Sequence, residues 1–528
     1  MKKLLPFFAC LLVSMIAMAQ KNIAYRSSLS YPNILSNLWG YTDTISGKEY
    51  AIVGEETGLS IVDISLPDLP QKLFFVPTDT SLWKEPKVWS HYAYCTNEKG
   101  GGLLIVDLSN LPAFINYTNW SGVPNENYTK SHTLFIDENG ILYLNGSNLF
   151  NRGVILCDLK PDPLNPQYLG KYDDAYVHDC FARNDTLYVS EILDGRFSVV
   201  DVKDKSNPVV LARQTTPFFF SHNIWPDDNN DFVFNTDEKK FASVTVYDVR
   251  DLENIKEVEQ YRHSDSDSYI PHNTYYKDGY LYTSYYRDGV TIVDAHRPDN
   301  LVEIGQFDTS PFTSGDGFEG CWGVYPFFNS GNIICSDREE GLFVLTPTLT
   351  RACYLEGKVT DQNTGNNLNN IRVDILGHER FKYTDLFGRY KTGIADSGFY
   401  TVRFTDFKQR CATKIVSGVR LDKAQTTILN VTISCTFPSS ITEINSSIKF
   451  GAAPNVFSQN TSLFIEHELP QTNGSVYLFD SKGQLVRELG IDNARTEIIV
   501  GDELPSGVYF ARLDLFPYTQ TIKLVKVQ

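Results

Sequence analysis

The chain has 528 residues, 13% of them aromatic with 30 Tyr and 33 Phe against 3 Met, and a formal net charge of −17. That length exceeds a single hydrophobic core and points to about three domains. The Tyr, Phe, Val and Ile bias favours strands over helical bundles, and the acidity speaks against nucleic acid or an anionic membrane as partner.

Residues 1–19 read as a secretory signal peptide. Lys2 and Lys3 form a basic start, residues 4–16 an apolar run, and Ala17-Met18-Ala19 a small-residue cleavage signature before Gln20. The run is too short for a transmembrane helix and its exit carries the cleavage pattern. Cys10 admits a lipoprotein signal as the alternative, although it lies inside the apolar run rather than after it. No transmembrane segment is expected further on. Eight of the nine cysteines follow the leader. An even number in an oxidising compartment favours disulfides, without choosing a pairing. No CxxC pair is present, which removes a cysteine zinc site.

From 20 to 350 one unit recurs. Its centre reads GLSIVDIS at 58–65, GLLIVDLS at 102–109, GVILCDL at 153–159, FSVVDV at 197–202, VTVYDV at 244–249, GVTIVDA at 289–295 and GLFVLTP at 341–347. Asp63, Asp107, Asp158, Asp201, Asp248 and Asp294 recur 43 to 51 residues apart, and Thr346 takes the place in the seventh copy. Around the sixth centre stand HNTYY at 272–276, a turn at Lys277-Asp278-Gly279, a strand at 280–286, a turn at Arg287-Asp288-Gly289 and a last strand at 302–307. Four short strands with tight turns, at a period of about 40–50 residues, make a propeller blade. The expected fold class is therefore all-β, a seven-bladed propeller followed by two small β-sandwich domains. The seventh copy lacks a fourth strand after Pro347. Residues 22–29 are the expected substitute, closing the ring and removing its sheet edges.

The repeat resembles the LVIVD-repeat propellers of the choice-of-anchor B family. The carrying residues are LWGY at 38–41 and GKEYAIVG at 47–54, then Ser131-His132-Thr133, His178-Asp179, Ser221-His222-Asn223 and His272-Asn273, and finally WGVYPFF at 322–328. The resemblance implies an exported bacterial protein and carries no reaction with it.

From about 351 the texture changes. LEGKVTD at 355–361, NIRVDI at 370–375, TDLFGRY at 384–390 and GFYTVRF at 398–404 alternate with period two and read as a small sandwich. Residues 351–435 resemble the carboxypeptidase regulatory-like domains, which implies a spacer or packing module. A Ser/Thr-rich linker is expected at 436–450. Residues 451–528 resemble the C-terminal sorting domain of type IX secretion substrates, on PNVF at 454–457, VYLFD at 476–480 before Lys482-Gly483, LPSGVY at 504–509 and the terminal KLVK at 523–526. Val456 stands where that pattern has a second proline. The resemblance implies the type IX secretion machinery as a partner and a product outside the outer membrane, anchored on the cell surface or released.

Four histidines hold one place in successive units: His132, His178, His222 and His272. Each begins the first strand of its unit, which in a propeller is the innermost. The turns between second and third strands emerge on the same face and carry Glu55, Glu56, Glu98, Glu191, Asp237, Glu238, Asp288, Asp337, Glu339 and Glu340. Imidazoles and carboxylates converging on one mouth are a ligand set for a divalent metal ion, with neutral imidazole suiting Zn, Cu, Fe or Ni. The four histidines with Glu191 and Asp237 are the candidate metal residues. The competing reading has each imidazole bonding the neighbouring blade's backbone. His91 precedes a second strand and stands apart.

The repeated aspartates read as turn caps. DDNND at 227–231 lacks the spaced ligands and glycine of an EF-hand loop and reads as a hairpin turn. Asp265-Ser266-Asp267 reads as a solvated loop first and a weak calcium site second, and FFF at 218–220, Tyr275-Tyr276 and Tyr285-Tyr286 as core and strand surface, with glycan stacking open to any exposed ring. No GxSxG elbow, HExxH pair, P-loop or dinucleotide fingerprint occurs, and no catalytic residue is assigned. Two functions are compatible with these features. The first is an exported binding or interaction protein whose propeller face takes a protein, glycan or ion. The second is a metal-dependent enzyme in which the histidines, with Glu191 or Asp237, activate a water.

Overall fold

The computed structural model describes residues 20–436, apart from 264–268, 314, 316 and 379, and further on 449–466, 474–481, 483–491, 495–502, 504–515 and 518–527. The expected leader, most of the expected linker, the 265–267 loop and Lys482 lie outside the described residues. Among the described residues the chain is all-β. The one helical element there is a single 3₁₀ turn, Ile192–Asp194, and no helix is long and apolar enough to cross a membrane.

Up to residue 347 the strands form seven antiparallel sheets, each built on consecutive strands. The first sheet runs Leu35–Thr42, Glu49–Glu55, Gly58–Asp63 and Gln71–Pro77. The innermost strands follow one another around an axis, until Cys321–Tyr325 of the last sheet packs against Leu35–Thr42 of the first. This ring of radial sheets is a propeller. The hydrophobic pattern explains the order. Second and third strands are covered on both faces by neighbouring sheets, so Glu49–Glu55 is buried throughout, as continuous apolar runs require. Outermost strands such as Val209–Thr215 alternate exposed and covered residues.

Ring closure follows the expectation for the amino-terminal segment. Ile23–Leu29 pairs antiparallel with Gly341–Pro347 as the outer strand of the last sheet. Gln20–Lys21 adds a fifth strand to the sixth sheet, beside Val302–Phe307. At the seam, Gly40 faces the Tyr325 ring so closely that a Cβ would stand 2.1 Å from it, so only glycine fits.

The repeated aspartates are turn caps in all six units. The carboxylates of Asp63, Asp107, Asp158, Asp201, Asp248 and Asp294 each accept the backbone N–H two residues on, at 2.8–3.2 Å. This is the Asx turn that lets the chain leave the third strand. Asp294 also accepts the N–H of Ala352 at 2.6 Å, tying the ring to the start of the strand Cys353–Asp361. Asp227 accepts the N–H groups of Asp231 and Phe232, so that segment is a hairpin turn.

Beyond the ring, two sheets enclose a core of Leu355, Val359, Val373, Val402 and Phe404. Among the described residues Cys411–Cys435 is the one disulfide, and Cys95, Cys157, Cys180, Cys321, Cys335 and Cys353 are buried thiols. A further pair of sheets encloses Leu463, Val476, Leu478, Ala511 and Leu524.

Candidate functional site

The inner strands set the site by register. In the fifth sheet a β-bulge between Ser221 and Asn223 breaks the alternation, which lets neighbouring residues His222 and Asn223 both reach the axis. Three residues beyond each histidine stands an aromatic ring: Phe135, Phe181, Trp225 and Tyr275. Their centroids are 4.8, 4.6 and 4.9 Å apart in succession. Trp39 and Phe327 complete the cluster, 5.8 Å apart. These rings also pack against one another across the ring, Trp39 on Tyr275 and Phe327 on Trp225 and Tyr275. Above them a polar layer joins Glu85 to Asn37 at 2.5 Å and Asp179 to Asn223 at 2.8 Å, with the Lys87 ammonium bonded to Glu85 and lying 4.2 Å over the Trp39 ring. Burial, and then the neighbouring Glu85, push the Asp179 carboxyl up to about 6.

The four histidines line a cavity of ≈60 Å³ at the mouth, with Trp83 and Trp322 on its wall. Successive imidazole centroids are 4.1, 4.1 and 4.5 Å apart. The arc divides into two chemically distinct pairs. His132 Nδ1 meets Glu98 Oε1 at 2.6 Å, and His132 Nε2 meets His178 Nε2 at 2.7 Å. His178 Nδ1 faces the His222 carbonyl at 3.1 Å and must donate to it, since a carbonyl only accepts. A neutral His178 therefore offers a lone pair at Nε2, and His132 supplies the proton between the rings. The Glu98 carboxyl stands against the other nitrogen of His132. Burial, with the charges of His132, His222 and His272, drives His178 well below the usual histidine range. Against the upward push of burial, the His132 bond and charge hold Glu98 below its ordinary value.

The second pair is open. His272 Nδ1 donates to the Trp322 carbonyl at 2.5 Å, leaving Nε2 as a lone pair. His222 Nδ1 is buried without a well-aligned partner, and the His272 backbone is its neighbouring acceptor. Both Nε2 atoms look toward Glu238, at 3.7 Å from Oε2 and 3.9 Å from Oε1. Burial above all pushes each imidazole down to about 3, with His132 acting next on His222 and His222 next on His272. Tyr286 donates its hydroxyl to Glu238 Oε1 and orients the carboxylate.

Glu191 and Asp237 stand elsewhere. Each is the last residue of a second strand, and its side chain is taken up by hydrogen bonds away from the histidines. Glu191 accepts from Tyr172 at 2.5 Å, from Ser198 at 2.7 Å and from Arg196. Asp237 accepts from Thr216 at 2.6 Å and from the N–H groups of Phe218 and Phe220 at 2.9 Å. Glu55 and Asp337 are consumed in the same way. Carboxylates one or more residues past the strand end, Glu98 and Glu238, are the ones that reach the histidines. His91 sits in a turn beside Asp107, half-exposed and apart from the arc. Tyr275, Tyr285 and Tyr286 are buried, which removes them as a stacking platform.

Sequence reasoning passed over Lys84, which holds the histidine position in the second sheet. Its ammonium donates to the carbonyls of Glu56, Asp79 and Ser81 at 2.8–3.1 Å, and burial draws its pKa below the ordinary value. Aligning the starts of the inner strands is the signal that would have found it. Trp83, beside it and 43% exposed, was missed for the same reason.

Residues 40–75 and 87–116, within the first two sheets of the ring, match the LVIVD repeat family. Among solved structures the chain is similar to the β-propeller domain of Cps50 (Swd1) from Myceliophteria thermophila. The two share 9% identity at a TM-score of 0.41, over 57% of this chain and 94% of that one. No curated protein matches the chain. The repeat match and the ring of sheets make this a propeller-repeat protein.

Proposed function

We propose that the chain is an exported bacterial binding protein, a seven-bladed propeller whose pore mouth is its ligand face. A carboxypeptidase regulatory-like sandwich and a type IX sorting sandwich then direct it across the outer membrane, to the cell surface or the medium. The leader pattern at residues 1–19, the carboxy-terminal motifs and the two paired-sheet units after residue 350 support the export half. The observation that carries the ligand face is the asymmetry of the channel. Six aromatic rings pack together on one side of the histidine arc, while the arc itself lines a cavity with indole rings on its wall. An indole with one apolar face and one polar edge suits recognition of a glycan or peptide.

A metal-dependent enzyme is the second reading. The observation in its favour is the His222–Glu238–His272 group, the type of ligand set that hydrolytic zinc centres use with one position left for water.

Cells producing the full chain test export: protease shaving and amino-terminal sequencing should find it outside, beginning at Gln20. A full-length product retained inside the cell would overturn this half. For the ligand face, labelled mature protein is applied to glycan and peptide arrays beside a Trp83→Ala/Trp322→Ala variant. Saturable signal lost in the variant supports the reading. Signal retained in the variant, or none from either protein, removes it.

A further inference from the structure

We propose that the pore mouth carries a divalent transition-metal site made of His222 Nε2, His272 Nε2 and the Glu238 carboxylate, while His132, His178 and Glu98 form a proton-sharing neighbour that does not ligate. The proposal deepens the ligand-face reading and rests on it for the site's accessibility.

Three independent features point to an ion at this group. The candidate ligand atoms all lie within 4.8 Å of one another, and the two imidazole–carboxylate separations are 3.7 and 3.9 Å. Ligands held about 2.1 Å from a tetrahedral ion stand ~3.4 Å apart, so the imidazole–carboxylate pairs, one to each Glu238 oxygen, close by about half an ångström and the widest pair by at most ~1.4 Å. Next, the tautomers suit ligation. The Trp322 carbonyl fixes the proton of His272 on Nδ1, and the His272 backbone lies where it can do the same for His222. Metal-bound histidines are oriented by such outer hydrogen bonds, here joined by Tyr286 on Glu238. Finally, both Nε2 atoms face one cavity and stand beyond hydrogen-bond reach of Glu238, which leaves them open to an ion.

The same geometry excludes the other two histidines as ligands to one ion. Their Nε2 atoms are 2.7 Å apart, closer than the ~3.3 Å of two nitrogens on one tetrahedral centre, and a proton already lies between them. Two imidazoles and one carboxylate select a borderline cation such as Zn²⁺, Ni²⁺ or Cu²⁺ over Ca²⁺ or Mg²⁺, which prefer all-oxygen shells. Three protein ligands leave one coordination position directed at the cavity, where a group on a bound ligand, or a water, would sit.

The test is calorimetric titration of untagged, chelator-treated full-length protein with zinc chloride, with Co²⁺ absorption as an independent readout. The expected result is one ion per chain. Affinity should fall at least 100-fold in His222→Ala and in His272→Ala, at least 10-fold in Glu238→Gln, and less than threefold in His178→Gln. Circular dichroism establishes that each variant is folded, and Co²⁺ bands in the wild-type protein report nitrogen ligation without any substitution. Absence of zinc uptake, uptake unaffected by His222→Ala, or equal losses from His178→Gln and His272→Ala would each overturn the proposal. Array binding lost in the tryptophan variant of a metal-free protein would leave the ligand face standing while this site falls.

Discussion

Two clusters in the ring use the same residue types to opposite ends. Around Glu303, at the junction of the fifth and sixth sheets, the carboxylate accepts from Tyr261 at 2.6 Å and from His263 Nδ1 at 2.8 Å, with Arg380 and Lys21 at 3.8 and 4.0 Å. The other nitrogen of His263 meets Gln306 at 3.0 Å. At the pore mouth, His222 and His272 stand beyond hydrogen-bond reach of Glu238, with lone pairs turned to a cavity. Both sites are buried histidine–carboxylate groups. Saturation is what separates a joint from a receptor: where every donor has an acceptor, nothing remains to recognise a ligand.

Substitutions at the two clusters should therefore differ in size and in sign. Glu303→Gln is expected to cost about 2–3 kcal/mol at pH 7 in urea unfolding, because it removes a buried carboxylate from the donors Tyr261 and His263 and from the half-buried Arg380 and Lys21. Burial pushes this carboxyl up, but the His263 bond and charge, then Arg380 and Lys21, prevail and bring it from 4.5 down to about 2. A depressed carboxyl stabilises the fold fully above its unfolded value and loses that stabilisation as pH falls through the folded one. The gap between wild type and variant should accordingly shrink from pH 4.5 toward 2. A gap of constant size across that window would break the contrast.

Asp179→Asn should act in the other direction, adding about 1–2 kcal/mol at pH 7 by the same measurement. Its carboxyl rises from 3.8 to about 6 in the fold, so wild-type stability drains away as pH climbs through that interval, and the amide is spared the loss. Near pH 3.5 the two proteins should unfold alike. Asp179→Asn destabilising at neutral pH would mean the polar layer is a joint after all. The smallest effect belongs to Glu238→Gln without metal, expected within about 1 kcal/mol, because the carboxylate is held by the Tyr286 hydroxyl rather than by a full shell of donors. A loss as large as that of Glu303→Gln would place the mouth among the structural joints.

Much of this was readable beforehand because a repeat converts sequence position into spatial position. Seven repeat centres, six of them carrying the aspartate, implied equivalent sheets, and four histidines in one register had to meet at the axis. The aspartates announced their turns, since a carboxylate leaving a strand caps the N–H two residues on wherever it stands. The carboxylates were harder. Glu191 and Glu238 differ by one step relative to a strand end, and that step decides whether the side chain folds between sheets or leans over the opening. Period-two alternation fixes faces inside a strand and says nothing once the strand has ended. Lys84 and Trp83 were hidden because residue type changed while register did not. The tautomers of the four imidazoles depend on which backbone carbonyl lies opposite each ring, information that no linear pattern contains.

The amino-terminal strand has a temporal consequence. Ile23 finds its partner in Pro347 and Leu29 in Leu342, so the first strands of the ring to be synthesised must wait for some of its last residues. Until then the circle is an open fan with a bare edge, and each added sheet lengthens the wait without sealing it. A chain arranged this way cannot seal its edge until residue 347 has been made, so closure is a single late step that joins the two ends of the ring at once.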